Sequence, residues 1–186
     1  WGQAISIVQE LSAREPSTVT QVVVRAAVGS ASMLDAAGME FVLRNLTLLE
    51  PEQLVANARS LGIAVWHLSP IRLAQLWDSG QESRDVARAG LAALGARVLL
   101  NGLSQVGDFV ETVFRQRPDL LAGQEIWAVD APLAVRAIRV AAQNDDLAPL
   151  AVDHLIASPR VDLVSTVFDE FGGDRVWRHL ATTLTS

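Results

Sequence analysis

Apolar residues in this chain recur every three or four positions within short segments that turn-forming residues separate. This spacing is typical of amphipathic helices, which bury one face and expose the other to water. Glycine and proline interrupt the pattern, because both favour turns and helix ends. The interruptions fall at Pro16, Gly29, Pro51, Gly62, Pro70, Gly80, Gly95, Gly107, Pro118, Pro132, Pro149, Pro159 and Gly172–Gly173. The pattern therefore predicts roughly ten to twelve short helices.

Residues that favour helix starts refine these segments. Ser69 with Pro70 opens one helix, Asp108 is expected to cap a second, and Asp130 before Pro132 opens a third. A further helix starts at Asp145 or Asp146 and ends before Pro159. Together with the helix before Pro159, the predicted helices span 3–14, 32–45, 51–62, 70–80, 82–94, 96–106, 108–117, 132–143, 164–171 and 174–184. Acid–base pairs four residues apart support helix at Glu10/Arg14, Glu40/Arg44, Glu111/Arg115 and Asp174/Arg178.

Two stretches leave the type of element open. Residues 17–28 contain three consecutive valines, which are β-branched and suit a strand, although helix is the favoured prediction. Residues 63–68 suit a strand or a buried helical turn equally well, since six mostly apolar residues show no clear period.

The C-terminal segments have the clearest apolar faces. One face contains Val164, Val167 and Phe171, and the next contains Val176 and Trp177. With Gly172–Gly173 between them and Asp174 as a cap, these segments predict an antiparallel helical hairpin.

These elements predict an all-α fold, an irregular orthogonal bundle of short helices that forms one domain over residues 1–186. The start at Trp1 indicates a domain taken from a longer protein. A short right-handed helical array is the alternative. The sequence Ala-Pro-Leu-Ala-Val occurs at both 131–135 and 148–152. Such a spacing is shorter than the roughly 34 to 47 residues of helical repeats, so we interpret the recurrence as chance.

Composition excludes several kinds of chemistry. The chain has 15 positive residues, all arginine, and has neither lysine nor cysteine, a bias expected of high-GC bacteria. A Walker A lysine, a Schiff base and thiolate–metal sites are therefore excluded. The net charge of −6 disfavours nucleic acid as a partner. The apolar run 89–107 contains Arg97 and four glycines, so we predict two buried helices there, no membrane span and a cytoplasmic protein.

No catalytic set is evident among the polar residues. His67, His154 and His179 are far apart in sequence and lack metal-ligand spacing, even with Asp153 considered as a further ligand. Ser104 lies in a stretch one residue too long for a nucleophile elbow. The adjacent acids at 145–146 and 169–170 cannot face each other across a cleft. We therefore expect no catalytic residue, no metal and no cofactor.

Arginine and tryptophan give the only hints of binding. The pairs Arg84/Arg88, Arg136/Arg139 and Arg175/Arg178 are spaced to share helix faces. Trp66 and Trp127 lie beside breaks, where a half-exposed indole is expected, and exposed tryptophan with arginine is typical of interfaces. The candidate partner-binding residues are Trp66, Trp127, Arg136 and Arg139.

The favoured function is that of a non-enzymatic helical domain, adaptor-like or chaperone-like. It would hold a protein partner or client segment in an apolar groove between helices. One alternative is a helical small-molecule-binding domain or enzyme with an apolar pocket, with His154 or His179 as a general base. The other is a scaffold segment of a multidomain protein.

Overall fold

The computed structural model describes residues 18–123, 125–157 and 161–184. Across these residues the chain forms twelve helices and no strand, so the predicted all-α class is confirmed. The predicted helix 3–14, with the pair Glu10 and Arg14, lies outside the described residues.

The chain divides into two compact units, with the boundary between Leu94 and Gly95. Each unit has its own set of buried apolar residues. That the whole chain acts as a single domain stays a prediction.

In the described part of the first unit, residues 18–94, the chain forms five helices, and α3 is the central one. The helices are α1 (Thr18–Val28), α2 (Ala36–Arg44), α3 (Pro51–Leu68), α4 (Pro70–Asp78) and α5 (Gln81–Ala93). Two 3-10 turns, Ala31–Met33 and Leu46–Leu48, connect α1 to α2 and α2 to α3. Helix α3 packs against α1, α4 and α5 along a face that buries Leu54, Ala58, Leu61 and Val65. This face repeats every three or four residues, as helical packing requires.

The two stretches of the first unit whose element type the sequence left undecided are both helical where the structure describes them. Residues 18–28 form α1 because Val24, Ala27 and Val28 share one buried face, which outweighs the β preference of the valines. Residues 63–68 are the last turns of α3. The predicted helix end at Gly62 is therefore wrong, because α3 passes through Gly62 without a break.

The residues of the second unit that the structure describes form seven helices around α9. They are α6 (Ala96–Gly102), α7 (Phe109–Gln116), α8 (Asp119–Ala122), α9 (Ala131–Ala142), α10 (Leu147–Ala157), α11 (Val164–Phe171) and α12 (Gly173–Leu184). Three 3-10 turns complete it: Leu103–Gln105, Glu125–Ala128 and Val161–Leu163. Helix α9 contacts α7, α10 and α11 and has Ala134, Ala137, Ile138 and Ala141 fully buried. Small side chains on α9 let three neighbouring helices approach it.

The observed helix caps match the predicted caps only in part. The Asp130 carboxylate accepts a hydrogen bond from the Leu133 amide at 3.3 Å, as predicted. Asp108 precedes α7 but makes no capping bond with its side chain. Helix α10 is preceded by Asn144, whose side chain accepts from the amides of Asp146 and Leu147, so neither predicted aspartate is the cap. Ser69 likewise precedes α4 without a capping bond from its side chain. Ser69 and Asp108 therefore lie at the predicted helix starts but do not cap them through their side chains, and the cap predicted at Asp145 or Asp146 is wrong.

The predicted C-terminal hairpin is present as α11, Gly172 and α12, which contact each other. The Gly172 amide donates to the Phe168 carbonyl at 3.1 Å, and the Gly172 carbonyl accepts from Val176 at 3.2 Å. Gly172 thus ends one helix and begins the next, whereas Asp174 lies within the first turn of α12. Trp177 is 62% exposed, so its assignment to the buried face is wrong.

The apolar run 89–107 includes the end of α5, all of α6 and the following 3-10 turn. Among the described helices, none is long and apolar enough to cross a membrane. Of the predicted ion pairs, Glu40–Arg44 and Glu111–Arg115 are confirmed at 2.8 and 3.0 Å.

Candidate functional site

Three neighbouring surface cavities in the first unit form the candidate site. The first has a volume of about 500 Å³ and lies between the segment after α1 and the C-terminal half of α3. It is lined by Gly29, Ala31, Ser32, Leu34, Ser60, Ile63, Ala64, His67 and Leu68. Among these described residues, His67 is the only ionisable one. The first cavity is thus an apolar recess with one imidazole at its wall.

The second cavity adjoins the first at Leu68. It has a volume of about 200 Å³ and is lined by α2, the end of α3 and the start of α4. Its lining is Ala36, Met39, Glu40, Leu43, Val65, Leu68, Ser69, Ile71 and Arg72. Met39 and Val65 are buried, whereas Leu68 is 46% exposed and Ile71 is also exposed. Leu68 therefore forms an apolar ridge between two recesses that have buried floors.

The third cavity, of about 290 Å³, shares Glu40, Leu43 and Arg72 with the second. Its remaining lining is more polar and consists of Arg44, Leu46, Thr47, Gln75, Leu76, Ser79, Glu82 and Ser83. We refer to the second and third cavities together as the α2–α4 groove. The groove is apolar at the Leu68 end and polar at the Arg44 end.

Glu40 joins the two sides of this groove. One of its carboxylate oxygens accepts from Arg44 Nε at 2.8 Å, and the other accepts from Arg72 Nη2 on α4. Arg72 also donates to Gln75 Oε1 at 2.6 Å. Burial alone would raise the pKa of Glu40, but the hydrogen bonds and positive charges of the two arginines outweigh it and lower the pKa. Glu40 is therefore held as a carboxylate between two guanidinium groups.

Local sequence explains how the site forms. The Asp35 carboxylate accepts from the Gly38 amide at 2.8 Å and so fixes the start of α2. Met39 and Leu43 then share the inner face of α2, while Glu40 and Arg44 share the outer face, each pair one turn apart. Ser69 separates α3 from α4, and Pro70 occupies the first position of α4, where its missing N–H costs nothing. This break leaves apolar side chains exposed on either side of it.

The predicted tryptophans do not lie at the surface. Trp66 is 2% exposed and Trp127 is 3% exposed, so the expectation of half-exposed indoles is wrong. Trp66 lies on the inner face of α3, and Trp127 lies in the 3-10 turn before α9. A buried indole cannot touch a partner unless the domain rearranges. Their role in partner binding stays a prediction that their burial does not support.

The predicted arginines make contacts within the second unit. Arg136 donates to the Gly107 carbonyl at 3.1 Å and to the Asp108 carboxylate at 2.8 Å. Arg139 donates to the Glu170 carboxylate at 3.0 Å. Arg136 therefore holds the turn before α7, and Arg139 connects α9 to α11. Their partner-binding role also stays a prediction.

The remaining candidates for chemistry are dispersed. His154 Nε2 lies 2.9 Å from the Ala122 carbonyl oxygen, and the side chain of His179 lies outside the described residues. Ser104 is exposed in a 3-10 turn. Within the described part of the chain, no group of three or more acidic or histidine residues could hold a metal ion.

Sequence reasoning missed Leu68, Ile71 and Arg72. The only signal that could have found them is the Ser69–Pro70 break, since apolar residues on both sides of a helix break cannot all share one buried face. Comparison of the chain with protein-family models, with curated proteins and with solved structures gave no significant match.

Proposed function

We propose that this chain is a non-enzymatic helical domain that holds an apolar segment of a protein partner or client at the Leu68 ridge. The observation that carries the proposal is the pair of recesses that meet at this half-exposed leucine. Isolated exposed leucines are common, but a leucine between two recesses with apolar floors forms a surface that suits the docking of apolar side chains.

Two adjacent recesses that share Leu68 suit a short amphipathic segment. Such segments dock by placing apolar side chains, one or two helical turns apart, into adjacent pockets. Fully burying one leucine-sized side chain contributes about 1.5–3 kcal/mol. Two such side chains of the partner, buried at the ridge, would then supply the main part of the binding free energy. The net charge of −6 supports a protein partner over a nucleic acid, and a cytoplasmic location belongs to the same proposal.

The test replaces Leu68 with arginine. Because Leu68 is 46% exposed, arginine can extend into water without unfolding the helix, while its charge obstructs both recesses. We expect Leu68→Arg to weaken binding of an uncharged apolar fluorescent dye, and of peptides selected from a random library, by at least about tenfold. Circular dichroism and thermal unfolding check that the variant keeps its fold.

Val55→Arg is the matched control. Val55 is 78% exposed on the same helix and lines none of the three cavities. It precedes Leu68 by thirteen residues, about 20 Å along the helix axis. This variant should bind as the wild type does. Equal loss of binding in both variants, or none in either, would rule out the Leu68 ridge as the site.

A small-molecule site is the second candidate, and the size of the first cavity favours it. Its volume of about 500 Å³ lies within the range of about 300–1,000 Å³ that ligand pockets occupy. The histidine that lines this cavity is His67, which the sequence did not favour as a general base. A screen of small apolar ligands by protein-detected NMR would separate the candidates. Chemical-shift changes at Ser60, Ile63 and His67, without changes at Ile71, would favour a small-molecule ligand over a protein segment.

A further inference from the structure

We propose that the third cavity, at the polar end of the α2–α4 groove, binds a free α-amino acid with an apolar side chain. Arg44 binds its carboxylate, and Glu82 binds its ammonium group. This site is separate from the Leu68 ridge, so either one can exist without the other.

The ionisable residues that line the third cavity are balanced, since two are acids and two are arginines. The carboxylate of Glu40 is occupied, because it accepts a hydrogen bond from Arg44 on one oxygen and from Arg72 on the other. Arg72 is occupied as well, because its two terminal nitrogens donate to Gln75 and to Glu40. The cavity therefore favours neither an anion nor a cation, and the charged groups left to bind a ligand belong to Arg44 and Glu82.

Arg44 and Glu82 present opposite charges to the cavity without pairing with each other. Arg44 uses Nε for its bond to Glu40, and its side chain is 75% exposed, so its terminal nitrogens keep donors in the planar arrangement that suits a carboxylate. Among the residues that the structure describes, none forms a hydrogen bond or ion pair with the Glu82 side chain. Glu82 lies in the first turn of α5, which packs against the Leu46–Leu48 turn that follows Arg44. A ligand with both a carboxylate and an ammonium group is complementary to this arrangement.

The floor of the third cavity suits an apolar side chain. Leu43, Leu46 and Leu76 line it and are each at least 92% buried. Its volume of about 290 Å³ is close to the lower limit of about 300 Å³ for ligand pockets, so the ligand is compact. An apolar lining with a few polar groups that fix orientation is the usual composition of such pockets. Free leucine has the required size, apolar side chain and pair of charges.

The probes are leucine and three relatives that each lack one feature. Leucinamide lacks the carboxylate, N-acetylleucine lacks the positive charge, and glycine lacks the apolar side chain. Binding to the full chain is followed by protein-detected NMR. The net charge of −6 favours the cationic leucinamide at long range. A preference for leucine over leucinamide therefore requires a local contact with the carboxylate.

We expect the wild type to bind leucine about two- to fivefold more tightly than leucinamide or N-acetylleucine, the effect of one exposed ion pair. Glycine should bind at least about fivefold more weakly than leucine, because it buries no side chain. Arg44→Gln should abolish the preference for leucine over leucinamide and keep the preference over N-acetylleucine. Glu82→Gln should do the reverse.

Arg115→Gln and Glu52→Gln are the matched controls. Arg115, like Arg44, pairs with a glutamate four residues earlier in the chain. Glu52, like Glu82, is exposed in the first turn of a helix. Both control residues line none of the three cavities, so both variants should keep both preferences. Circular dichroism checks that all four variants keep their fold.

The amino-acid site is ruled out if leucine does not bind the wild type, or if leucinamide or N-acetylleucine binds as tightly as leucine. It is also ruled out if Arg44→Gln and Glu82→Gln keep both preferences, or if the control variants lose them equally. Because each variant is compared on several ligands, a general loss of stability cannot imitate the loss of one preference. Leu68→Arg should keep both preferences, since Leu68 does not line the third cavity. Failure of leucine binding would therefore leave the proposed ridge in place.

Discussion

Gly62 on α3 and Gly90 on α5 meet backbone to backbone at the centre of the first unit. A Cβ atom built on Gly62 would lie 2.5 Å from Gly90 Cα, and one built on Gly90 would lie 2.6 Å from Gly62 Cα. These distances are far below van der Waals contact, so neither position has room for a methyl group. Buried Leu61 and Leu91 lie beside this contact. The two glycines therefore allow α3 and α5 to cross more closely than helices with side chains can.

We predict that Gly62→Ala lowers the free energy of unfolding of the chain by about 1–3 kcal/mol or more. The methyl group would meet backbone atoms of α5, which cannot move aside as a flexible side chain can. This cost exceeds the gain of about 1 kcal/mol that alanine gives in a helix interior. Urea unfolding followed by circular dichroism measures the difference.

Gly29→Ala serves as the control for this prediction. A Cβ on Gly29 would lie 3.6 Å from the Ala26 carbonyl oxygen, which is ordinary contact. Its free energy of unfolding should stay within about 0.5 kcal/mol of the wild type, as is usual for surface changes. Equal stability of Gly62→Ala and Gly29→Ala would contradict the close crossing.

The Gly62 contact shows where sequence reasoning stops. Apolar spacing and caps were sufficient to predict the all-α class, the Asp130 cap and the hairpin at Gly172. The same rules predicted a helix end at Gly62, because a glycine among apolar residues is a common stop signal. Its actual role depends on Gly90, which is 28 positions later in the sequence. Only the packing of α3 against α5 distinguishes a helix stop from a helix crossing.

The candidate site was less predictable for the same reason. The Glu40–Arg44 pair follows from helical spacing alone, and the structure contains it. Arg72 binds the same carboxylate from 32 positions away, which no local rule could indicate. Likewise, the exposure of an aromatic residue depends on which helix covers it. Trp66, beside a predicted break, is buried because α3 continues past Gly62.

We predict that Trp177 contributes much more solvent-accessible fluorescence than Trp66. Trp177 is 62% exposed and stacks at a tilt on Phe168, with ring centroids 5.6 Å apart. Trp177→Phe should lower the Stern–Volmer constant for acrylamide quenching and shift the emission to shorter wavelength. Trp66→Phe should lower the intensity without lowering that constant. The opposite ranking of the two variants would show that the indole of Trp177 is shielded from solvent.

Glu40 should make stability depend on pH. Its pKa is lowered in the folded chain, so the carboxylate contributes stability that is fully present above the unfolded-state pKa of about 4.3. This contribution is lost as the pH falls through the lower pKa of the folded state. We predict that Glu40→Gln is less stable than wild type at pH 7 and that the difference narrows below about pH 4. Thermal unfolding between pH 3 and 7 measures the difference in stability between the two proteins. If that difference did not change with pH, the Glu40 carboxylate would not be the source of the pH dependence.

Gly172 and Gly173 should respond in opposite ways to the same substitution. Gly172 has φ 77° and ψ 132°, a conformation that is costly for any residue with a Cβ atom. Gly172→Ala should therefore reduce the free energy of unfolding by about 1–3 kcal/mol. Gly173 begins α12, and a Cβ there would lie 3.8 Å from Phe168 Cδ1, an ordinary contact. Gly173→Ala should be neutral or stabilising by up to about 1 kcal/mol, because alanine has fewer unfolded conformations to lose. Urea unfolding of the two variants decides the matter: if both are equally stable, the hairpin does not require the positive φ at Gly172.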